Sequence, residues 1–68
     1  MKYAVVIETT ATGYSGYVPD LPGCVSAGRT RAEMETNIRE AIGLYLDELR
    51  DRGDPIPPPT TDATFVAV

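Results

Sequence analysis

Histidine and tryptophan are absent from this 68-residue chain, and cysteine occurs once, as Cys24. Without histidine there is no imidazole to activate Cys24 as a nucleophile. A single cysteine also closes no internal disulfide and, with no histidine beside it, builds no Cys/His zinc site. Basic residues are sparse too: six Lys and Arg stand against ten Asp and Glu, a net charge of −4, and the densest basic groups are the pairs Arg29/Arg31 and Arg50/Arg52. Phosphate backbones are bound through a concentrated positive footprint, so direct nucleic-acid binding is not expected. An acidic balance suits a basic partner instead. No apolar run approaches the ~20 residues that span a bilayer, and Met1-Lys2-Tyr3 leads into a strand-like run rather than a signal peptide. With an unpaired cysteine and no membrane segment, a cytoplasmic location is expected.

These absences bear on stability. A core of this size seldom supplies more than roughly 3–5 kcal/mol, and small domains add disulfides, metals or subunits. Composition removes the first two. Association is therefore expected, as a homodimer or tetramer or with another protein.

What the chain does have is a stiff turn, Tyr17-Val18-Pro19-Asp20-Leu21-Pro22-Gly23-Cys24. Two prolines fix their own φ and push the preceding residues towards extended geometry, and Gly23 supplies the freedom to turn. Such a loop presents Asp20 and Leu21 at little entropic cost, as a rigid corner or as a recognition surface. Around it the pattern predicts a continuous apolar strand over Lys2–Glu8 and a hairpin partner over Tyr14–Val18. In the latter, Gly16 marks a bulge or a close approach. A short strand follows over Cys24–Gly28.

Thr30-Arg31-Ala32-Glu33 fits a capping box, with Thr30 and Glu33 each satisfying the other's amide, so a helix is predicted from Arg31. Met34, Ile38, Ala41, Ile42, Tyr45, Leu46 and Leu49 form its apolar stripe, and Glu35 and Arg39 stand at i,i+4 spacing. Gly53 and Pro55 end it, about 33 Å along at 1.5 Å per residue, so its last turns are expected to project beyond the sheet. Pro55-Ile56-Pro57-Pro58-Pro59 is a polyproline strut, and Ala63–Val68 reads as a fourth strand. Connection rules place that strand parallel to the first, giving an α+β β-β-β-α-β fold with sheet order 3-2-1-4 and the helix on one face. Because the first strand is apolar on both faces, something else is expected to cover the second.

Candidate chemistry is thin. Cys24 reads as a small core residue, and Asp20 as a turn residue satisfying nearby amides. Glu8 and Asp20 are the only carboxylates near strand ends before the helix, too few for a two-metal nuclease. No catalytic residue, metal or cofactor is expected. The helix acids read first as a solvated face and second as a contact surface for a basic partner.

Taken together, Met1-Lys2-Tyr3, Val5-Val6-Ile7-Glu8, Gly13-Tyr14-Ser15, Tyr17 to Ser26, Gly28, Thr30, Glu33, Asn37-Ile38 and Glu40-Ala41-Ile42 resemble the HicB antitoxins. Leu44-Tyr45-Leu46, Gly53 and Pro55-Ile56-Pro57 extend the resemblance over nearly the whole chain. It implies a partial RNase H-like fold and a type II toxin–antitoxin role, in which a small, basic, mRNA-cleaving HicA toxin is bound and its catalytic surface masked. Many members carry a C-terminal DNA-binding domain, and a short form without one is expected here. The contact residues expected from this reading are Asp20 and Leu21 in the loop and the acids Glu40, Asp47, Glu48 and Asp51 on the helix. The alternative is a self-assembling regulatory or ligand-sensing module with no toxin partner.

Overall fold

The helix begins and ends at its capping residues. In the computed structural model, which describes all residues from Met1 to Val68, α1 spans Arg31–Arg52. Thr30 is extended (φ −119°, ψ 161°), and its hydroxyl accepts from the Glu33 amide at 3.0 Å. The reciprocal bond falls one residue earlier than the capping-box pattern predicts: the Glu33 carboxylate accepts from the amide of Arg29 at 3.2 Å. At the other end Gly53 takes the left-handed conformation (φ 71°). Its amide and that of Asp54 donate to the carbonyls of Arg50 (3.1 Å) and Leu49 (2.9 Å), a Schellman closure. Glu35 pairs with Arg31 at 3.3 Å rather than with Arg39, and both side chains are mostly exposed. Such a pair contributes a few tenths of a kcal/mol.

Three short strands precede the helix: β1 (Val6–Thr9), β2 (Tyr14–Tyr17) and β3 (Val25–Gly28). The strand read over Lys2–Glu8 starts only at Val6 and runs on to Thr9, whereas the other two are each one residue shorter than read from sequence. They form one antiparallel sheet in the order β1-β2-β3. Register puts Ile7, Gly16 and Ser26 in one row and Val6, Tyr17 and Val25 in the next, on opposite faces. The helix backbone lies over β3 and β2 and leaves β1 aside. Gly16 is a site of close approach: a Cβ there would lie 2.8 Å from the Met34 sulfur. Gly28 is tighter still, since its Cβ would lie 2.5 Å from the backbone nitrogen of Met34.

The fourth strand is not formed. After α1 there is no regular element, and no backbone–backbone hydrogen bond involves residues 55–68. Sheet order 3-2-1-4 is therefore corrected to the three-stranded β1-β2-β3, and β1 keeps an open outer edge. The reason is the route of the strut. The Tyr3 hydroxyl donates to the Pro57 carbonyl at 2.6 Å, and Asp20 then holds Thr60 and Thr61. The chain thus passes from the segment leading into β1 to the loop beyond β2, away from the β1 edge.

The buried side chains come from two places only. Val18, Leu21 and Cys24 belong to the loop segment, and Met34, Ile38, Leu46 and Leu49 to the helix. Tyr3, Val5, Ile7 and Ile56 pack partly buried against this cluster. The end of the helix does not project freely, because its last buried leucines share the core with the loop. On the opposite face the sheet is uncovered: Tyr17 is 42% exposed and Val25 64%. No helix is long and apolar enough to cross a membrane.

Gly16 and Gly28 differ in what they meet. Gly28→Ala drives a methyl into helix backbone that cannot yield locally, and is expected to lose roughly 2–3 kcal/mol, the upper end of overpacking penalties. Gly16→Ala meets the end of a flexible thioether and is expected to lose about 1 kcal/mol or less. Urea denaturation of both variants measures the order, and a Gly16→Ala loss equal to or above that of Gly28→Ala would contradict this packing.

Candidate partner-binding surface

The proline loop is two β-turns in succession. Pro19 stands at the second position of Val18–Leu21, closed by the Leu21 amide donating to the Val18 carbonyl at 3.1 Å. Pro22 stands at the second position of Leu21–Cys24, closed by the Cys24 amide on the Leu21 carbonyl at 3.0 Å. Gly23 follows with φ 81°, the left-handed geometry that a type II turn requires at its third position. The Val18 amide on the Cys24 carbonyl (3.0 Å) shuts the ring.

Leu21 is the shared corner of the two turns, and its side chain points inward with 0% exposure. Expected as a displayed contact, it is instead a core anchor, out of reach of any partner while the loop keeps this form. Cys24 is buried as well, and burial pushes its thiol above the ordinary value. A raised thiol is a poorer nucleophile at neutral pH.

Asp20 stays partly exposed, but its carboxylate is occupied. It accepts from the amides of Thr60 and Thr61 (3.0 Å each) and from their hydroxyls (3.1 and 2.7 Å). The amide and hydroxyl of Thr61 are the main causes that hold its pKa below the ordinary 3.8, with desolvation opposing and Thr60 adding to the effect. Charge-assisted bonds of this kind favour the carboxylate form. The residue expected to be read by a partner is thus the clasp that fixes the C-terminal strut.

The helix acids remain open to solvent. Glu40, Asp47 and Asp51 lie along the face of α1 opposite Met34, Ile38 and Leu49, with Glu48 at its border. Asp47 pairs with Arg50 at 3.3 Å and Glu48 with Arg52 at 3.7 Å. Glu40 and Asp51 make no ion pair. Among these acids stands Leu44, 72% exposed. It lies four residues after Glu40 and three before Asp47, off the apolar stripe, and that displacement from the 3.6-residue period is the sequence signal that could have found it. The face therefore has an apolar centre and an acidic rim, whereas the loop pair Asp20 and Leu21 sits apart from it and turns inward. No group of three or more Cys, Asp or Glu side chains comes together as a metal site would need.

Three antiparallel strands, one capped helix and a loop-filled core define an α+β domain. Its residues 3–67 match the family model of the HicB-like antitoxin of bacterial toxin–antitoxin systems, and the chain belongs to that family. A UPF0150 protein of Thermoplasma acidophilum is 43% identical over 58 residues, 84% of each chain. A UPF0150 protein of Helicobacter pylori is 52% identical over 49 residues, 72% of this chain and 68% of the relative. Among solved structures, a HicA3–HicB3 toxin–antitoxin complex contains a chain that superposes with a TM-score of 0.75 at 38% identity, covering 88% of this chain and 70% of that one. A crystal structure of the antitoxin HicB3 gives the same score and identity, and this chain spans 44% of its length.

Leu21→Ala is expected to lose about 2–5 kcal/mol in chemical denaturation, as a buried leucine does and a displayed one does not. Asp20→Asn should leave the core folded and free the strut, seen as lost hydrogen-exchange protection at the Thr60 and Thr61 amides. Because the folded pKa is depressed, the clasp contributes above the ordinary value of 3.8 and is lost as pH falls below it. The same amides should therefore open on acidification, and protection unchanged in acid would contradict the clasp.

Proposed function

We propose that this protein is the antitoxin of a type II pair: it binds a small, basic, mRNA-cleaving HicA-type toxin and blocks the toxin's RNA-binding and catalytic surface by occlusion. Membership of the HicB-like family over residues 3–67 carries this reading. The similarity to a chain from a HicA3–HicB3 complex supports it. The role is non-catalytic. Steric and electrostatic masking needs a rigid surface of opposite charge, and the outer face of α1 offers one in Leu44, Glu40, Asp47, Glu48 and Asp51. In such a surface a desolvated apolar residue supplies most of the affinity, and the surrounding carboxylates speed encounter with a basic partner. Asp20 contributes indirectly, by fixing the strut beside the core, and Leu21 only as a core anchor.

The test is co-expression with the product of the neighbouring small basic reading frame. The pair is expected to co-purify, and the antitoxin to stop RNA cleavage by the isolated toxin. Absence of a complex together with undiminished cleavage would overturn the reading. Within a complex, Leu44→Asp should weaken binding at least 10-fold, about 1.4 kcal/mol or more. Glu40→Lys with Asp51→Lys should mainly slow association and flatten its salt dependence.

A further inference from the structure

Two features of the protomer are unsatisfied and fit each other. The first is the outer edge of β1, a row of unpaired backbone groups next to a groove of about 550 Å³. The groove runs between α1 and the segment from Met1 to Ile7 that leads into β1; Met1, Tyr3, Val5, Ile7, Ile38 and Ile42 give it apolar walls, and Lys2, Glu35 and Arg39 also line it. It exists because the helix covers β2 and β3 but not β1. An open apolar edge of this kind templates the addition of another strand. The second feature is the segment Thr64-Phe65-Val66-Ala67-Val68, rich in residues suited to strands and entirely exposed, with Phe65 at 100%.

We propose that these two features join between copies: the 63–68 segment of one protomer adds to the β1 edge of a second and lays alternate side chains into its groove, and the second returns its own segment to the first. The exchange is reciprocal, so it closes as a two-fold dimer and leaves no free β1 edge. The fourth strand of a β-β-β-α-β arrangement is then supplied in trans.

The occupant is a second copy because of how the segment is held. Tyr3 and Asp20 fasten the strut at Pro57 and at Thr60 and Thr61, carrying it from the approach to β1 towards the loop beyond β2. Residues 62–68 continue from there, exposed and with no backbone hydrogen bond to their own β1 edge. Extended, they reach about 20 Å at ~3.3 Å per residue, enough to cross to a neighbouring protomer. Need also favours exchange, since only 8 of 68 residues are buried in the protomer, a core at the margin of independent stability. The outer face of α1, assigned above to a toxin, is not used by this contact, so the two readings stand or fall separately.

Sedimentation of the full chain at roughly 5–50 µM, where a pair with a micromolar dissociation constant is populated, is expected to show a dimer or a multiple of it. Phe65→Asp with Val66→Asp should sediment as a monomer that keeps its helical circular dichroism, because neither side chain packs within the protomer. A spin label at Val68→Cys in a Cys24→Ala background, mixed with unlabelled-tail, ¹⁵N-enriched protein, should broaden the amides of Tyr3 to Ile7 in the enriched copy. A monomeric wild type overturns the proposal, as does a dimer that survives the double substitution. An enriched copy whose Tyr3 to Ile7 amides stay sharp also overturns it, by showing that the segment does not reach the edge of a second copy.

Discussion

Leu21 is the residue on which the rest of the structure depends. Two proline turns meet at its Cα, and their geometry leaves its side chain one direction, into the space beneath α1. Once it is there, Val18 and Cys24 follow it inward on either side, and these three complete a core whose other buried members all lie on the helix. A sheet of four-residue strands could not supply this by itself. Gly16 is empty of side chain, and β1 lies outside the helix's footprint. The loop does the work that a fourth strand or a longer sheet does in larger domains.

The same placement explains how the remaining surfaces divide. With Leu21 turned in, Asp20 at the crest of the first turn is left facing the C-terminal strut, and its carboxylate fixes Thr60 and Thr61. The strut so directed exposes the last residues and leaves β1 open. The helix, held by Leu46 and Leu49 on its inner side, shows solvent its opposite face, where Leu44 sits among Glu40, Asp47 and Asp51. One surface is suited to another protein of opposite charge. The other is suited to a second copy of the chain. Family membership and the acidic balance favour using the first on a toxin, while the edge and tail serve assembly.

Local signals were legible in the sequence. Thr30, Glu33 and Gly53 set the helix ends, and the apolar period from Met34 to Leu49 set its inner face, because each rests on interactions within a few residues. Gly16 announced a close approach, although not that Met34 would fill it. The direction of Leu21 was not legible. Prolines and glycine show that a chain turns, but whether the corner residue points in or out depends on hydrogen bonds closing both turns together. The fourth strand was misplaced for a related reason. Thr64 to Val68 has strand composition, but pairing depends on where Tyr3 and Asp20, some 40 to 54 positions away, take hold of the strut. Leu44 carried a signal in its place off the stripe, but a lone exposed leucine is ordinary on a protein surface and marks no contact by itself.

If the double turn is part of the core, its amides should open only when the whole domain does. Native-state hydrogen exchange at Val18, Leu21 and Cys24 measures this directly. All three are expected to exchange with the same free energy as the most protected amides of α1, and to keep this protection in Asp20→Asn, where the strut is released. Fast exchange at these positions, at the pace of an exposed loop, would show instead that the loop is a displayed surface and not part of the core.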